Sequence, residues 1–251
     1  MGKLIILGSS NAVPSGHHEN THMVFVGDER MVLVDCSGNP ILRLQEAGLD
    51  FNDLTDVVIT HFHPDHVSGL PLLLMDMWLM GRKKPLDIYG LHHTLERVED
   101  LMRSFNWADW PDFYPVAFHH LPASERSAVL DCSDFRVLSS PVRHLIPAIG
   151  LRFDFHKAGK AVAYSGDTEP CVQVVRLAEA ADILIHEAGG EHIGHSSAAQ
   201  AAQIAARAEV SSLFLIHYPT GNYAGEDLVA QACQKYEGPV ALATDFMVLN
   251  F

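Results

Sequence analysis

Cysteine and basic residues are both scarce in this sequence. Only four of its 251 residues are cysteine, at positions 36, 132, 171 and 233, and none of them forms a CxxC pair. A disulfide scaffold or a cysteine-based zinc site needs thiols that are more closely grouped. The spacing therefore predicts scattered core thiols in a reducing compartment.

The shortage of cations limits the partners that this chain can bind. Lysine and arginine total 17 against 31 aspartates and glutamates, which gives a formal net charge of −14 with histidine neutral. Phosphate backbones and anionic lipids are contacted mainly through lysine and arginine. The sequence therefore argues against a general nucleic-acid or membrane surface, and an anionic substrate would need positive charge from another source.

Long apolar runs and linkers are also missing. No run reaches the roughly 20 residues that span a bilayer, and the opening MGKLIILGSS lacks the basic flank and cleavage site of a secretory signal. Strand-like and helix-like segments alternate along the chain without a Ser-, Pro- or Gly-rich linker. We therefore expect one α/β domain over residues 1–251 and a cytoplasmic location.

Histidine is the residue in excess, with 16 copies. The stretch 57–74 reads VVITHFHPDHVSGLPLLL, so His61, His63, Asp65 and His66 fall within six residues between two apolar runs. Burying even one unpartnered polar ring is costly. A hydrogen-bonded turn explains one or two such groups but not four, which indicates that cations neutralise them.

The same stretch predicts two separate ligand pairs. Residues 57–60 are typical of a buried strand, Pro64 is expected to keep the turn free of helix, and a helix is expected over roughly 67–80. Alternate residues of an extended segment point to the same side, so His61 and His63 offer two nitrogens to one cation. Asp65 and His66 can then turn an oxygen and a nitrogen toward a neighbouring point.

Further donors must come from other parts of the chain. His144, Asp167 and His217 each follow a strand-like run, and α/β folds place their chemistry at the carboxyl ends of strands. Each alone would be an ordinary core or loop residue, but together with residues 61–66 they form a candidate ligand set. Imidazole and carboxylate donors without cysteine favour an open catalytic site for zinc, manganese or iron.

The ordered motifs of the chain resemble the metallo-β-lactamase superfamily and, within it, the ribonuclease Z-like branch. They are LGSSNAVP, HFHPDH, PLDIYGL, HLIPAIGLRF, YSGDT, HEAG, GHSSAAQAAQIA and LIHYP, so the resemblance spans essentially the whole chain. It implies a four-layer αβ/βα sandwich and two divalent cations, with zinc as the first expectation. The seven implied ligands form two groups with a bridge: His61, His63 and His144; Asp65, His66 and His217; and Asp167 between them.

The resemblance also implies two catalytic roles. Asp65 acts as a general base as well as a ligand, because it can hold the proton of the attacking water. His195, in GHSSAAQ, is the candidate that protonates the leaving oxygen. Ser197 and Gln200 form a predicted capping box that would fix His195 at a helix entrance. His186, Glu187 and Tyr164 are expected to support the ligands.

Two departures from the resembling branch affect the expected substrate. The tRNA-processing relatives carry a long arm between the positions that match His144 and Asp167, whereas only 22 residues separate them here. The segment YPTGNY after His217 also lacks a basic residue. With the charge of −14, these features predict a phosphodiesterase acting on a small or cyclic phosphodiester, and make an RNA partner the weaker expectation.

Other functions remain open at the level of sequence. The enzyme alternatives are a ribonuclease Z-like RNA-processing nuclease without the arm and a hydrolase of carboxylic, sulfate or thioester bonds. A non-catalytic metal-binding scaffold would be expected to lack a ligand, yet all seven positions are filled. The sequence leaves the oligomeric state open, with a homodimer as one possibility because dimers are common in the resembling family.

Two further features of the sequence lie outside the predicted metal site. His17, His18 and His22 are expected to lie in an exposed polar loop. The aromatic patch at residues 107–114 lies within the stretch NWADWPDFYP. The sequence leaves open whether this patch forms a pocket wall, a packed connection or a subunit interface.

Overall fold

Two seven-stranded sheets and seven α-helices make up the part of the chain that the structure describes. This computed structural model describes residues 2–225 and 227–251. The strands of the first sheet, in spatial order, are β14 (Val248–Asn250), β1 (Lys3–Gly8), β2 (His22–Val26), β3 (Met31–Val34), β4 (Asp56–Val58), β5 (Leu86–Leu91) and β6 (Val116–Leu121). Those of the second are β13 (Val240–Leu242), β12 (Leu213–Ile216), β11 (Ile183–Glu187), β10 (Lys160–Tyr164), β9 (Ala148–Phe155), β8 (Phe135–Val142) and β7 (Ser127–Asp131).

The two sheets repeat one pattern of strand direction. In the first, β14, β1, β2 and β3 pair antiparallel, and β3, β4, β5 and β6 pair parallel. In the second, β7 to β10 pair antiparallel and β10 to β13 pair parallel. Each half therefore brings the carboxyl ends of several parallel strands to one rim, where side chains from both sheets can meet.

The sheets face each other across one apolar core, and helices cover their outer faces. In the inner core the rings of Phe25 and Phe153, one from each sheet, stack with centroids 3.6 Å apart. The outer face of the first sheet carries α1 (Pro40–Glu46), α3 (Leu70–Leu79) and α4 (His92–Ser104). The outer face of the second carries α5 (Val172–Leu177), α6 (Ala198–Arg207) and α7 (Leu228–Cys233). The expected four-layer αβ/βα sandwich is confirmed.

Helix α6 shows how the sequence specifies an element beside the site. The Ser197 hydroxyl accepts from the Gln200 backbone N–H, and the Gln200 side chain accepts from the Ser197 N–H, as the predicted capping box requires. Its buried face consists mainly of alanines, so the helix can lie close to the sheet. The loop that precedes it is thereby held at the rim.

Two local expectations were wrong. Pro64 does not keep the turn free of helix, because it is the first residue of the short α2 (Pro64–Val67), where the missing N–H of proline costs nothing. The expected helix over 67–80 is divided, and α3 begins only at Leu70. Gly69 separates the two helices, and a Cβ there would lie within 3.0 Å of Pro40 and of the backbone at 37–38.

The expectation that His17, His18 and His22 lie in an exposed polar loop is only partly confirmed. His22 is fully buried at the start of β2, where Nδ1 donates to the Asn20 carbonyl at 2.8 Å. His18 is half-buried and its Nδ1 lies 2.8 Å from Ser9 Oγ. His22 therefore belongs to the packed interior and not to a polar loop.

The aromatic patch at 107–114 is largely packed connection. Tyr114 is buried, and Trp107 and Phe113 pack on the outer core of the first sheet. Trp110 stacks on Trp78 and lines an apolar groove of about 670 Å³ between α3 and α4. No described helix is long and apolar enough to cross a membrane.

Candidate metal centre

All seven sequence-predicted metal donors meet at the rim between the two sheets. The HFHPDH segment follows β4 and enters α2, which places four donors on one loop. His144 follows β8, Asp167 follows β10 and His217 follows β12. Each donor therefore lies where a buried strand ends, because the strands carry these residues from distant parts of the chain to one place.

Three ring nitrogens form the first donor group. His61 Nε2 lies 3.0 Å from His63 Nδ1, and His144 Nε2 lies 3.0 Å from the same atom. His61 and His63 thus face the same side of their extended segment, as expected. Ligands of one tetrahedral zinc, at about 2.0–2.1 Å from the metal, are separated by about 3.3 Å, so the three nitrogens have the spacing of a shared cation.

Two nitrogens and two oxygens form the second group. Asp167 Oδ2 lies 3.3 Å from His66 Nε2 and 3.3 Å from His217 Nε2. Asp65 Oδ2 lies 3.4 Å from each of the same two nitrogens. Asp167 Oδ2 is also 3.8 Å from His61 Nε2, so it stands between the two groups.

The residues present fit a pair of cations. His66 Nε2 and Asp167 Oδ1 are buried and make no hydrogen bond to the described residues. Buried polar atoms are rarely left without a partner, because each costs free energy. Imidazole and carboxylate are also the donors that catalytic zinc, manganese and iron sites use. In the described part of the chain, every group of three or more donors close enough to share one ion lies in this centre.

The donors of the centre shift one another's pKa values. Burial lowers the pKa of His66, but the carboxylates of Asp167 and Asp35 outweigh burial and raise that pKa well above its usual value. Burial alone would raise the pKa of Asp167, yet His217 and His66 hold it well below the usual value. The carboxylates therefore stay ionised and attract positive charge, which a bound cation would supply in place of a proton.

Asp35 is a supporting residue that the sequence reasoning missed. Its Oδ2 accepts from His66 Nδ1 at 2.8 Å, and its Oδ1 accepts from the Thr60 backbone N–H at 2.8 Å. A carboxylate on the far nitrogen fixes the tautomer and aims the other nitrogen at the metal position. The available signal was a strand that ends in aspartate, VLVDC, the pattern already used for Asp167.

Backbone groups hold two other donors in place. His144 Nδ1 donates to the Gly194 carbonyl at 2.7 Å, which leaves Nε2 to face His63. His217 has a φ of +54°, a left-handed conformation that is costly for a residue with a side chain. Its N–H donates to the Ser9 carbonyl at 2.9 Å. Strain of this kind persists only where the surrounding structure requires it.

His195 lies beside the donors in a hydrogen-bonded pair. Its Nδ1 is 3.1 Å from Glu187 Oε1, and its ring centroid is 5.0 Å from that of His144 and 5.5 Å from that of His217. Glu187 is fully buried and also accepts from the backbone N–H groups of Thr168, Gly189 and Ser196. The paired Nδ1 leaves Nε2 as the atom available to a substrate or to a cation, and the geometry by itself allows either.

Burial and the hydrogen bond to Glu187 shift the pKa of His195 in opposite directions. Burial lowers its pKa, but the hydrogen bond and negative charge of Glu187 outweigh burial, so the pKa is raised above its usual value. A raised pKa widens the range of pH in which the imidazole carries a proton. Protonated His195 can therefore serve as a proton donor.

The other residues expected to support the ligands lie in different places. Tyr164 is buried next to the centre, with a hydroxyl that has no hydrogen-bond partner among the described residues. His186 Nδ1 donates to the Glu187 carbonyl, and the structure gives it no contact with the donors. Of His186 and Glu187, therefore, only Glu187 bonds to a site residue through its side chain.

A cavity of about 350 Å³ opens beside the centre. Its wall includes His195, His217, His192 and Asn11. It gives access to the two rings from the loop that follows β1. A substrate approaching the cations from this side would pass His195.

The chain matches a known domain family over most of its length. Residues 30–218 match the model of the beta-lactamase superfamily domain. Ribonuclease Z of Methanothermobacter thermautotrophicus is 28% identical over 305 aligned positions, which cover 100% of this chain and 97% of the relative. At least 54 of those positions (305 minus 251) therefore face no residue of this chain.

Two solved structures share the fold closely. The metallo-beta-lactamase fold protein YhfI of Bacillus subtilis has a TM-score of 0.83 and 20% identity, with 99% of this chain and 98% of that chain covered. The short form of human tRNase Z has a TM-score of 0.81 and 24% identity over the same shares. With its fold, its family match and its ribonuclease Z relatives, this chain belongs to the beta-lactamase superfamily domain family and is a metal-dependent hydrolase.

Proposed function

We propose that this chain hydrolyses phosphodiester bonds with two divalent cations, most readily zinc, held by the seven donors of the centre. The observation that carries the proposal is the bridge: Asp167 Oδ2 lies 3.3 Å from His66 and His217 and 3.8 Å from His61. One carboxylate oxygen so placed joins the two groups into one centre. Two close cations stabilise the attacking and leaving oxygens of a phosphoryl transfer and make water a stronger nucleophile.

The protein residues supply the proton transfers. Asp65 Oδ2 is directed at His66 and His217 and lies at the edge of the second group, where its carboxylate can take the proton of the attacking water. His195 Nε2 then protonates the leaving alkoxide. Glu187 holds the ring by Nδ1 and stabilises its charged form. Carboxylic esters with good leaving groups do not need a proton donor. The pair of His195 and Glu187 therefore favours phosphodiesters of ordinary alcohols as substrates.

Two substrate classes are supported by different observations. The names of the curated relatives favour RNA, because ribonuclease Z matches this chain from end to end. The residues of this chain favour a smaller diester. The interval 145–166 is used up by β9, β10 and their turn, so it contains no protruding arm. The charge of −14 also leaves few cations for a long phosphate backbone.

One substrate panel tests the proposal. The protein is purified and its metals are removed. Zinc, manganese or iron is then added back until elemental analysis measures two ions per chain. Bis(4-nitrophenyl) phosphate, 2′,3′-cyclic AMP, a precursor tRNA and 4-nitrophenyl acetate are then compared by kcat/KM. We expect both diesters to be turned over and the carboxylic ester to be the poorer substrate.

The panel also separates the alternatives. Accurate 3′ cleavage of the precursor tRNA at a higher kcat/KM than either small diester would select the ribonuclease function. Absence of phosphodiester turnover with every metal would refute the proposal, and faster turnover of the acetate would point to carboxylic ester hydrolysis.

A further inference from the structure

The cavity at the metal centre adjoins a second and larger one. The larger cavity has a volume of about 690 Å³ and shares Gly189, His192 and Pro219 with the 350 Å³ cavity that touches His195 and His217. We call the larger one the α6 cavity, because Ala198 and Ala199 of α6 form part of its wall together with Tyr218, Leu228 and Leu242. The α6 cavity therefore adjoins the smaller cavity, and both lie on the side of the metal centre where His195 stands.

The lining of both cavities contains no lysine or arginine among the described residues. The acidic side chain in the described lining of the α6 cavity is Glu191, whose carboxylate is exposed. The rings of Tyr218 and His192, the side chains of Leu228 and Leu242, and the neutral polar side chains of Ser197 and Gln231 form much of the remaining wall. A polyanion would meet negative charge without a compensating cation here, whereas an uncharged ring system would meet apolar, aromatic and neutral polar surface.

Two adjacent glycines, Gly189 and Gly190, lie in the wall of the α6 cavity. Gly190 has a φ of +122°, which favours glycine, and a Cβ on it would lie 3.0 Å from the His192 ring. A Cβ on Gly189 would lie 3.3 Å from both His195 Nδ1 and Glu187 Oε2. The two glycines therefore leave the wall between His195 and His192 free of side chains.

From this adjacency we propose that the α6 cavity receives the leaving alcohol of the substrate, and that this alcohol is a single uncharged group of nucleoside size. The inference rests on the proposed function, because His195 must stand next to the oxygen that it protonates. The group leaving at His195 is then adjacent to the smaller cavity and extends into the α6 cavity. A volume of 690 Å³ is of the size that binds a whole small molecule and far exceeds that of a methyl group.

The substrate class follows from this placement. The diester carries one uncharged, ring-bearing alcohol on its leaving side, and its negative charge is confined to the phosphate at the cations. An RNA strand that leaves as an oligonucleotide would put several phosphates beside Glu191. In hydrolysis, water adds to phosphorus, the bond from phosphorus to the leaving oxygen breaks, and that oxygen takes the proton from His195.

Product analysis of tetra-adenylate tests the inference directly. The metal-loaded protein is incubated with adenylyl-adenosine, in which either leaving group is adenosine, and separately with ApApApA. We expect tetra-adenylate to lose one terminal adenosine and leave a trimer that carries the phosphate at the cut end, and adenylyl-adenosine to be cleaved with at least the same kcat/KM. Release of a di- or trinucleotide that lacks the phosphate at the cut end as a first product would overturn the inference and support a strand-shaped path.

A pair of substitutions on α6 provides the matched control. Ala199 lines the cavity, whereas Ala206 lies on the exposed side of the same helix. Ala199→Phe should lower kcat/KM for adenylyl-adenosine by about ten-fold or more, mainly through KM, since a filled pocket excludes its ligand. Ala206→Phe should leave it unchanged, and both variants should retain two metals per chain. Equal kinetics for the two variants would refute the inference.

Binding of adenosine separates this inference from the proposed function. Calorimetry should detect adenosine binding to the metal-loaded protein, with weaker binding for Ala199→Phe and for His192→Ala, whose exposed ring can be removed without disturbing the core. If no diester is turned over with any metal, the proposed function fails, and the adenosine titration still decides the inference. Absence of adenosine binding to the wild-type protein would overturn it.

Discussion

Glu187 Oε1 lies 3.1 Å from Nδ1 of His195, at the rim where β11 ends and the loop before α6 begins. The carboxylate is fully buried, and three backbone N–H groups also donate to it. A carboxylate held so firmly can fix the orientation of the imidazole and stabilise its charged form.

Removing either member should impair proton donation without removing the metals. His195→Ala should retain two metals per chain and lower kcat for diesters of poor leaving groups by about 10²–10⁴-fold, the usual contribution of a general acid. Glu187→Gln should give a smaller loss of the same kind, because it removes charge and keeps a hydrogen-bonding group. The dependence of rate on the pKa of the leaving alcohol should become steeper in both. Loss of metal in His195→Ala would show instead that His195 is a ligand.

Asp35 should control the affinity of the second metal position. Asp35→Asn removes the negative charge that orients His66 Nδ1, and loss of such a partner typically weakens metal binding by about 10–100-fold. Competition with a chromogenic chelator should show one weakened and one unchanged equivalent per chain. Asp87→Asn is a suitable control, since Asp87 is a partly exposed carboxylate that bonds a different histidine, His119. Equal weakening of both equivalents would contradict the division of the donors into two groups.

Direct loss of a ligand should have a larger effect. Asp65→Ala and His144→Ala each remove one donor from a different group, so each should lower metal content below two per chain and reduce diester turnover. Elemental analysis after dialysis measures the first, and kcat at saturating metal measures the second. Full metal content with normal kcat in either variant would exclude that residue from the centre.

Two buried histidines should make the fold sensitive to acid. Burial lowers the pKa of His22 and of His186 to about 4, from 6.5 for an exposed ring. Below pH 6.5 the unfolded chain therefore binds protons that the folded chain does not, so the free energy of unfolding falls as the pH drops toward 4. Each histidine should contribute a loss of about 2 kcal/mol between pH 7 and pH 5.

Substitutions at these histidines separate this effect from protonation of the metal ligands. Asn can replace the donating Nδ1–H but does not titrate, so His22→Asn and His186→Asn should each flatten the pH dependence measured by urea unfolding. His156→Asn, at a histidine with a largely exposed ring, serves as the control. Identical pH slopes for the wild type and the two buried-site variants would refute the prediction.

Much of the centre could be anticipated from local patterns. Four donors within residues 61–66 have no ordinary explanation in a buried loop, and the alternation of an extended segment already places His61 and His63 on one side. His144, Asp167 and His217 were found because each follows an apolar strand. Asp35 follows the same rule and was missed, because a single aspartate after a strand is also a common loop residue.

Errors arose where the outcome depended on packing. His22 looked like part of a polar loop, but β2 pairs with both β1 and β3 and carries it into the interior. Pro64 was taken as a helix breaker, although its effect depends on whether it stands inside a helix or at the first position. These distinctions cannot be read from residue types alone.

The sequence by itself determined the donor types, the fold class and the family, because ligand chemistry and strand–helix periodicity are properties of short segments. Only the tertiary structure decided which atoms meet. It placed Asp167 between two donor groups, bonded Glu187 to His195, and formed two adjoining cavities without lysine or arginine in their described lining. Residues from 11 to 242 line these two cavities. Their proximity is set by the pairing of strands and the packing of two sheets, which no single segment of the chain encodes.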